Sequence, residues 1–258
     1  MNSAALSAAK TQLRSLMKQR LKGLSNDSIL QQSKAVFDSL RSFRPYVDAN
    51  RVGIYLAMPG GELQTDLIVR HALQSGKQVF VPYLHKSGLA PGEGPARLMD
   101  MVSLAGIDDY ESLRPDKWGI PSIDAATVDQ RQRSLGELEG DAAADATLDL
   151  ILLPGVAFDE DPDTGVIRRL GHGKGFYDYF LHRYALKCAG RGDVSDGRAA
   201  VLLYALGLRE QFLAPTSAGQ QESTVPVGPH DQPLDGLFLG DGQVKLSANS
   251  GHTEQSQR

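Results

Sequence analysis

The strongest constraint on this chain is a series of short apolar runs, each closed by turn residues and each too brief for an ordinary helix. They are Arg51 to Ala57 (RVGIYLA), Gln78 to Pro82 (QVFVP), Leu148 to Leu153 (LDLILL) and Ala199 to Leu206 (AAVLLYAL). Runs of this kind, apolar throughout rather than alternating, mark strands covered on both faces. Between the first two, Thr65 opens a helical stretch that Gly76 closes. Strand, helix, strand with short joints is a βαβ unit, and βαβ units build parallel sheets. The expected fold class is therefore α/β: a single-domain layered fold with a mostly parallel central sheet flanked by helices, Rossmann-like in outline.

Other elements follow from the same signals. The residues up to Asn26 read as a first helix. Ser25 or Asn26 caps a second running to about Phe43, with Ile29, Leu30, Val36, Phe37 and Leu40 at helical spacing and Pro45 ending it. Met58 to Glu62 (MPGGE) is a glycine-rich bend. Gly88 to Pro95 reads as a loop, Arg97 to Val102 as a strand, and Asp235 to Leu239 (DGLFL) as the last strand. A helix is expected from about Gly173–Gly175 to Leu186, and Gly190 to Gly197 as a loop. One domain is expected over residues 1–245, with surface insertions near 86–96, 124–147 and 188–198. The tail 246–258, rich in Ser, Gln, Asn and Gly, reads as disordered.

Composition narrows the partners. A net charge of −4 in 258 residues supplies no global field for nucleic acid or an anionic membrane. No stretch reaches the roughly 18 to 20 apolar residues of a membrane helix. A single cysteine, Cys188, forms no internal disulfide and suits a reducing compartment; it reads as an ordinary thiol near a loop. The expectation is a cytoplasmic, monomeric protein acting on small molecules. One feature competes: Lys10, Arg14, Lys18, Arg20 and Lys22 precede the first acidic residue, Asp27. That pattern suits a mitochondrial presequence as well as a helix with a basic stripe.

The segment Leu150 to Leu181 (LILLPGVAFDEDPDTGVIRRLGHGKGFYDYFL) carries the chemistry. A strand delivers the chain to Pro154-Gly155. A loop with Arg168, Arg169 and Lys174 follows, and Gly171, Gly173 and Gly175 lead into a helix. Alternating glycines let backbone N–H groups approach an anion, the helix N-terminus adds partial positive charge, and the cations neutralise the rest. The spacing is neither a Walker A loop nor the GxGxxG dinucleotide fingerprint. Alone, GxGxG also fits a plain tight turn. Asp178, just inside the helix, can stabilise the helix dipole or hold Mg²⁺ brought by a nucleotide's phosphates. Phe176 and Tyr177 can stack on a planar ligand or enter the core.

The run RLGHGKGFYDYFL resembles the signature of the 5-formyltetrahydrofolate cyclo-ligases, Arg-Leu-Gly-x-Gly-x-Gly-Tyr-Tyr-Asp after a strand ending in Pro-Gly. KTQLR, with Lys10 and Arg14, is similar to that family's opening Lys-x-x-x-Arg. Tyr55 to Thr65 (YLAMPGGELQT), Ala205 to Phe212 (ALGLREQF) and Val225 to Asp235 (VPVGPHDQPLD) resemble further family segments in the same order. The resemblance implies that Lys10, Arg14, Arg169, Gly171, His172, Gly173, Lys174, Gly175, Phe176 and Tyr177 bind ATP, with Lys174 and Arg169 catalytic. It implies that Asp178 and Asp231 hold Mg²⁺, and that Met58, Glu62, Gln64, Phe176 and Tyr177 line the folate side. Involvement of Lys10 and Arg14 argues against a cleaved presequence.

Three positions depart from the pattern. Gln64 stands where the family often has Glu, with Glu62 as a rival carboxylate; two residues apart on an extended segment, both are expected to face the pocket. Phe176 replaces a common Tyr. His172, at a variable position, reads as a loop residue near phosphate rather than a general base. The implied activity is ATP-dependent closure of 5-formyltetrahydrofolate to 5,10-methenyltetrahydrofolate. Two alternatives remain at this point: a binding module for folate or nucleotide without turnover, and a sugar-phosphate isomerase on a similar scaffold.

Overall fold

The computed structural model describes residues 2–88, 90, 94–136, 146–192, 194–195, 198–199, 201–214 and 224–248. Three helices come first: α1 (Ser3–Leu21), α2 (Asn26–Leu40) and α3 (Arg44–Asp48). The chain continues through β1 (Arg51–Ile54), α4 (Asp66–Gln74), β2 (Gln78–Lys86), β3 (Arg97–Ser103) and α5 (Ile107–Ser112). A two-residue ladder, β4 (Arg114–Pro115) and β5 (Pro121–Ser122), precedes β6 (Leu150–Leu153). Next come the hairpin β7 (Ala157–Glu160) and β8 (Ile167–Leu170), α6 (Phe176–Arg191), and the short pair β9 (Val194–Ser195) and β10 (Arg198–Ala199). The last strands are β11 (Leu202–Gly207), β12 (Gly236–Leu239) and β13 (Val244–Leu246).

Seven strands form the central sheet in the order β13-β12-β11-β6-β1-β2-β3. The strands from β12 to β2 run parallel, and β13 and β3 close the edges antiparallel. Every residue of β6 is buried, which explains its unbroken apolar run. Its alternate residues serve two cores. Leu150 and Leu152 pack with Ile29, Val36, Ile68 and Val69 of α2 and α4. Ile151 and Leu153 pack with Phe180, Leu181 and Tyr184 of α6. Each such side chain contributes about 1.5–3 kcal/mol by leaving water, so the helices are held to the sheet mainly by these two faces.

Several expectations need correction. Ser25 does cap α2, its hydroxyl accepting from Ser28 N at 3.2 Å, but α2 ends at Leu40, and Pro45 lies in the first turn of α3. Proline is tolerated there because that N–H has no intrahelical acceptor. Leu30 is 57% exposed, since helical spacing alone does not tell which stripe faces the sheet. Thr65 makes no side-chain cap; its hydroxyl donates to Tyr55 O at 2.7 Å and ties the bend to β1. The strand at Gln78 runs beyond Pro82 to Lys86 and forms a hairpin with β3. Of the loop expected at Gly88 to Pro95, residues 89 and 91–93 lie outside the described residues.

The start of the expected insertion 124–147 is packed: Val128 and Ser134 are buried. The carboxylate of Asp100 gathers it, accepting from Arg133 Nε (2.9 Å), Ser134 Oγ (2.9 Å) and Leu135 N (3.0 Å). Residues 137–145 lie outside the described set. A hairpin, β7–β8, replaces the plain loop after Gly155. The helix expected to end at Leu186 reaches Arg191, and β9 pairs with β10 where a loop was expected. Cys188 is 3% exposed, within the core under α6 rather than near a loop. β13 follows the strand expected to be last, and residues 246–248 are ordered. Ser247 Oγ accepts from Ile167 N (2.7 Å) and donates to Leu234 O (2.6 Å). Residues 249–258 lie outside the described set.

Candidate active site

Ligands of open parallel sheets bind outside the carboxyl ends of the strands. Here a cavity of about 910 Å³ opens there, near the top of the ~300–1,000 Å³ range of small-molecule sites. β6 ends at Leu153, and the β7–β8 hairpin returns the chain so that Arg169 reaches Pro154 just beyond it. Arg169 is 7% exposed. Its Nη1 donates to Pro154 O (3.2 Å), its Nη2 to Asp178 Oδ1 (2.6 Å), and its guanidinium lies 5.7 Å from the Tyr177 ring centroid. A charge buried this far needs such partners.

The glycine loop passes directly beneath α1. Arg14 Nε donates to Gly171 O at 2.8 Å, and a Cβ on Gly173 would lie 3.0 Å from the Arg14 guanidinium carbon. Gly173 and Gly175 take φ of 88° and 69°, where side chains other than glycine's are strained. Gly175 begins α6 without a side-chain cap, which leaves the first N–H groups of the helix facing the cavity's loop. One turn earlier on α1, Lys10 Nζ donates to both oxygens of Asp231, at 2.7 and 2.5 Å. Gly228 N donates to the same carboxylate at 2.6 Å. Burial pulls the Arg14 pKa below its ordinary value, while Asp231 and Asp178 oppose that pull. Lys174 is exposed and lines the cavity.

The Met58–Glu62 bend supplies the opposite wall. Glu62 is 7% exposed; its Oε2 accepts from Met58 N and its Oε1 faces His172 Nε2, both at 2.9 Å. Gln64, expected to face the pocket, does not line it. Its amide donates to Met58 O (3.0 Å) and Glu62 O (2.8 Å) and braces the bend from behind. Phe176 and Tyr177 both line the cavity and also touch the α6 core. The Tyr177 hydroxyl is buried with no hydrogen-bond partner among the described residues, and desolvation drives its pKa well up.

Fit to magnesium can be tested on the donor set. Among the described residues no three His, Cys, Asp or Glu side chains gather to cage a metal. Mg²⁺ commonly binds through one or two carboxylates plus phosphate oxygens and water, so a cage is not required. Asp178 suits that use, because Arg169 takes only its Oδ1 in a hydrogen bond. Asp231 suits it less, because Lys10 and Gly228 already occupy both of its oxygens.

The cavity continues past the residues legible in sequence, along Pro82 to Lys86, Arg97 and Met99, and along the turn holding Trp118. Reaching them required the β2–β3 register, which no local motif encodes. Trp118 did carry a signal: it is the only tryptophan, and it is 50% exposed.

These features define an α/β protein with a glycine- and cation-lined cavity at the carboxyl ends of its parallel strands. The sequence profile of the 5-formyltetrahydrofolate cyclo-ligase family matches residues 6–239. A probable 5-formyltetrahydrofolate cyclo-ligase of Caenorhabditis elegans is 30% identical over 232 residues, covering 90% of this chain and 93% of the relative. The 5-formyltetrahydrofolate cyclo-ligase of Mus musculus is 30% identical over 242 residues, covering 93% and 98%. The solved structure of an Aquifex aeolicus 5,10-methenyltetrahydrofolate synthetase shares the fold, with a TM-score of 0.56 at 20% identity over 95% of this chain and 96% of that one. The chain belongs to the 5-formyltetrahydrofolate cyclo-ligase family.

Proposed function

We propose that this protein closes 5-formyltetrahydrofolate to 5,10-methenyltetrahydrofolate at the expense of ATP, with Mg²⁺, releasing ADP and phosphate. The supporting observation is convergence: Arg14, the glycine loop and Lys174 share one cavity with the buried carboxylate of Glu62. The formyl oxygen attacks the γ-phosphorus and ADP leaves; N10 attacks the activated carbon and gives its proton to solvent; and the phosphorylated oxygen leaves as phosphate. An amide-like oxygen leaves poorly until phosphorylated, so the protein's task is positioning and charge neutralisation.

Lys174 is the cation placed to follow the transferring phosphoryl group, because it is exposed within the cavity. Arg169 acts by fixing Asp178. Lys10 and Arg14 meet the phosphates from α1, and Lys10 exchanges Asp231 for a phosphate oxygen when nucleotide arrives. Asp178 would hold Mg²⁺, which would supply additional charge neutralisation. Glu62 accepts hydrogen bonds from the pterin ring, and Met58, Phe176 and Tyr177 enclose it. The proposed setting is a cytoplasmic monomer acting on small molecules; among the described residues no helix is long and apolar enough to cross a membrane.

The test is appearance of the methenyl chromophore from 5-formyltetrahydrofolate with and without MgATP. Formation only with MgATP, and loss of at least about 100-fold in rate for Lys174→Ala, is expected for a residue stabilising transition-state charge. Folded wild-type protein that forms no chromophore would overturn the proposal.

A further inference from the structure

The carboxylate proposed to receive the pterin already has two partners. Glu62 Oε2 accepts from Met58 N and Oε1 from His172 Nε2, both at 2.9 Å. A carboxylate oxygen only accepts, so Nε2 carries the hydrogen. A pterin presents a ring N–H beside an amino group, two parallel donors that call for both oxygens of one carboxylate. The Met58 N–H belongs to the backbone of the bend and stays where it is. The imidazole of His172 stands at the oxygen that the second donor needs, and its side chain is partly exposed whereas that of Glu62 is buried.

The two walls joined by this bond are held differently. The bend is braced from several sides: Gln64 donates to Met58 O and Glu62 O, and the Tyr55 hydroxyl donates to Leu63 O at 2.8 Å. Pro59 also packs closely on the turn at Gly119, where an added Cβ would lie 2.9 Å from Pro59 Cγ. His172 instead lies between Gly171 and Gly173 in the glycine loop. Arg14 Nε holds Gly171 O, the carbonyl of the peptide that leads into His172. A phosphate that draws on Arg14 therefore acts on the peptide carrying His172, and its oxygens accept from the same imidazole N–H that Glu62 now receives. Of the two walls, the loop is the one that yields.

We infer that His172 is a positioning residue that couples the two substrates: it closes Glu62 until a nucleotide phosphate draws it away, so folate binds more tightly once ATP is in place. The inference rests on the proposed function. A ligand shifts such an equilibrium only by its differential affinity for the two arrangements, which here is the worth of the His172–Glu62 bond. For a bond with one partly exposed partner that is about threefold to tenfold in affinity. The coupling is reciprocal, so folate favours ATP by the same factor. With ATP far below its KM, kcat/KM for folate starts from the state in which the bond is made. Energetic coupling between Glu62 and His172 therefore shows there and fades as ATP saturates.

The experiment measures Kd for 5-formyltetrahydrofolate by titration calorimetry, with and without Mg²⁺ and the non-hydrolysable β,γ-imido analogue of ATP. Wild type, His172→Ala and His172→Gln are compared. Direct contact between the two substrates also couples them, so the deciding value is the one without nucleotide. There His172→Ala should bind folate about threefold to tenfold more tightly than wild type, because the competing bond is gone. With the analogue present, the two should agree within about twofold, the bond being released in wild type as well. His172→Gln, whose amide can donate to Oε1, should return the Kd without nucleotide toward the wild-type value. A residue that only supported the pocket would, on removal, weaken folate binding in both states. Equal or weaker binding by His172→Ala without nucleotide overturns the inference, and so does a gap between the two proteins that persists with the analogue. Circular dichroism checks folding, and His172→Leu, equally unable to donate, stands in if the alanine variant does not fold. Turnover by wild type is followed alongside: chromophore formation with an unchanged Kd in His172→Ala sinks this inference alone. Wild type that neither binds nor converts folate overturns the proposed function, and this inference with it.

Discussion

His172 Nε2 lies 2.9 Å from Glu62 Oε1, so a side chain of the glycine loop is joined to the carboxylate of the Met58–Glu62 bend. The bond closes the cavity between the glycine-loop side, proposed to face phosphate, and the Met58–Glu62 side, proposed to face the pterin. The two partners are unequal: the Glu62 side chain is 8% exposed and that of His172 45%. Removing the buried one leaves more unsatisfied, because Met58 N also depends on it. Glu62→Gln should lower kcat/KM for the folate by about tenfold to 100-fold, the worth of a hydrogen bond to a charged group. His172→Ala should cost less than about tenfold, because water screens its partly exposed imidazole. A double-mutant cycle on kcat/KM checks both, with non-zero coupling expected from side chains in contact. Equal losses in the two single variants would refute the ranking.

Arg169 supports Asp178 from a nearly dry position, with side-chain exposures of 4% and 26%. Breaking a buried pair by removing one partner strands the other charge. Arg169→Ala should therefore destabilise the fold by about 3 kcal/mol, read from urea unfolding, as well as abolish turnover. Asp178→Asn retains a hydrogen-bond acceptor and should cost less stability while losing the Mg²⁺ dependence of ATP binding. A stability loss under about 0.5 kcal/mol for Arg169→Ala would show that the pair is solvated rather than structural.

The legible parts of this fold are those whose physics is local. Leu150 to Leu153 reads as a strand because both its faces are covered, and the Gly171–Gly175 stretch reads as a loop because Gly173 and Gly175 take positive φ and Gly173 lies against the Arg14 guanidinium. Only the family resemblance brings Lys10 and Arg14 to the site; periodicity alone favours a solvated basic stripe. What stayed hidden depends on partners distant in sequence. Asp100 draws Arg133 and Ser134 into a buried network, so a polar stretch became packed structure. Gln64 turned inward because Met58 and Glu62 offered carbonyls at the right reach, where strand alternation had placed it beside Glu62 in the pocket. The cavity lining at Lys86 and Arg97 depended on the pairing of β2 with β3.

Gly173 carries two constraints at once: φ of 88° and a Cβ position 3.0 Å from the Arg14 guanidinium carbon. Arg14 ends in a flexible side chain and can yield, but it would move away from Gly171 O and from the proposed phosphate position. Gly173→Ala should cost about 1–3 kcal/mol of backbone strain. It should also raise ATP KM more than folate KM, since the displaced Arg14 is proposed to meet the nucleotide. Steady-state kinetics with each substrate varied in turn separates the two, and a larger rise for folate would contradict the assignment of this loop.

Stability at low pH should report on the pair Asp109–Arg131, which lies outside the cavity. Arg131 donates from Nη1 to Asp109 Oδ2 (2.5 Å) and from Nη2 to Oδ1 (2.6 Å). The hydrogen bond from Arg131 is the main cause that lowers the Asp109 pKa below its ordinary value; Ala105 N adds to it and burial opposes it. A depressed folded-state pKa means the unfolded chain binds the proton more readily. The pair therefore stabilises fully above the unfolded value of about 3.9, and the contribution fades as pH falls through the folded value. Asp109→Asn removes the charge at every pH. Its destabilisation should be greatest near pH 7, on the order of 1 kcal/mol for a pair exposed 12% and 17%, and should shrink below about pH 4 as the wild-type carboxyl protonates. Urea midpoints of both proteins from pH 7 to pH 3 test this, and a gap that stays constant across that range would rule out the ionised pair as its source.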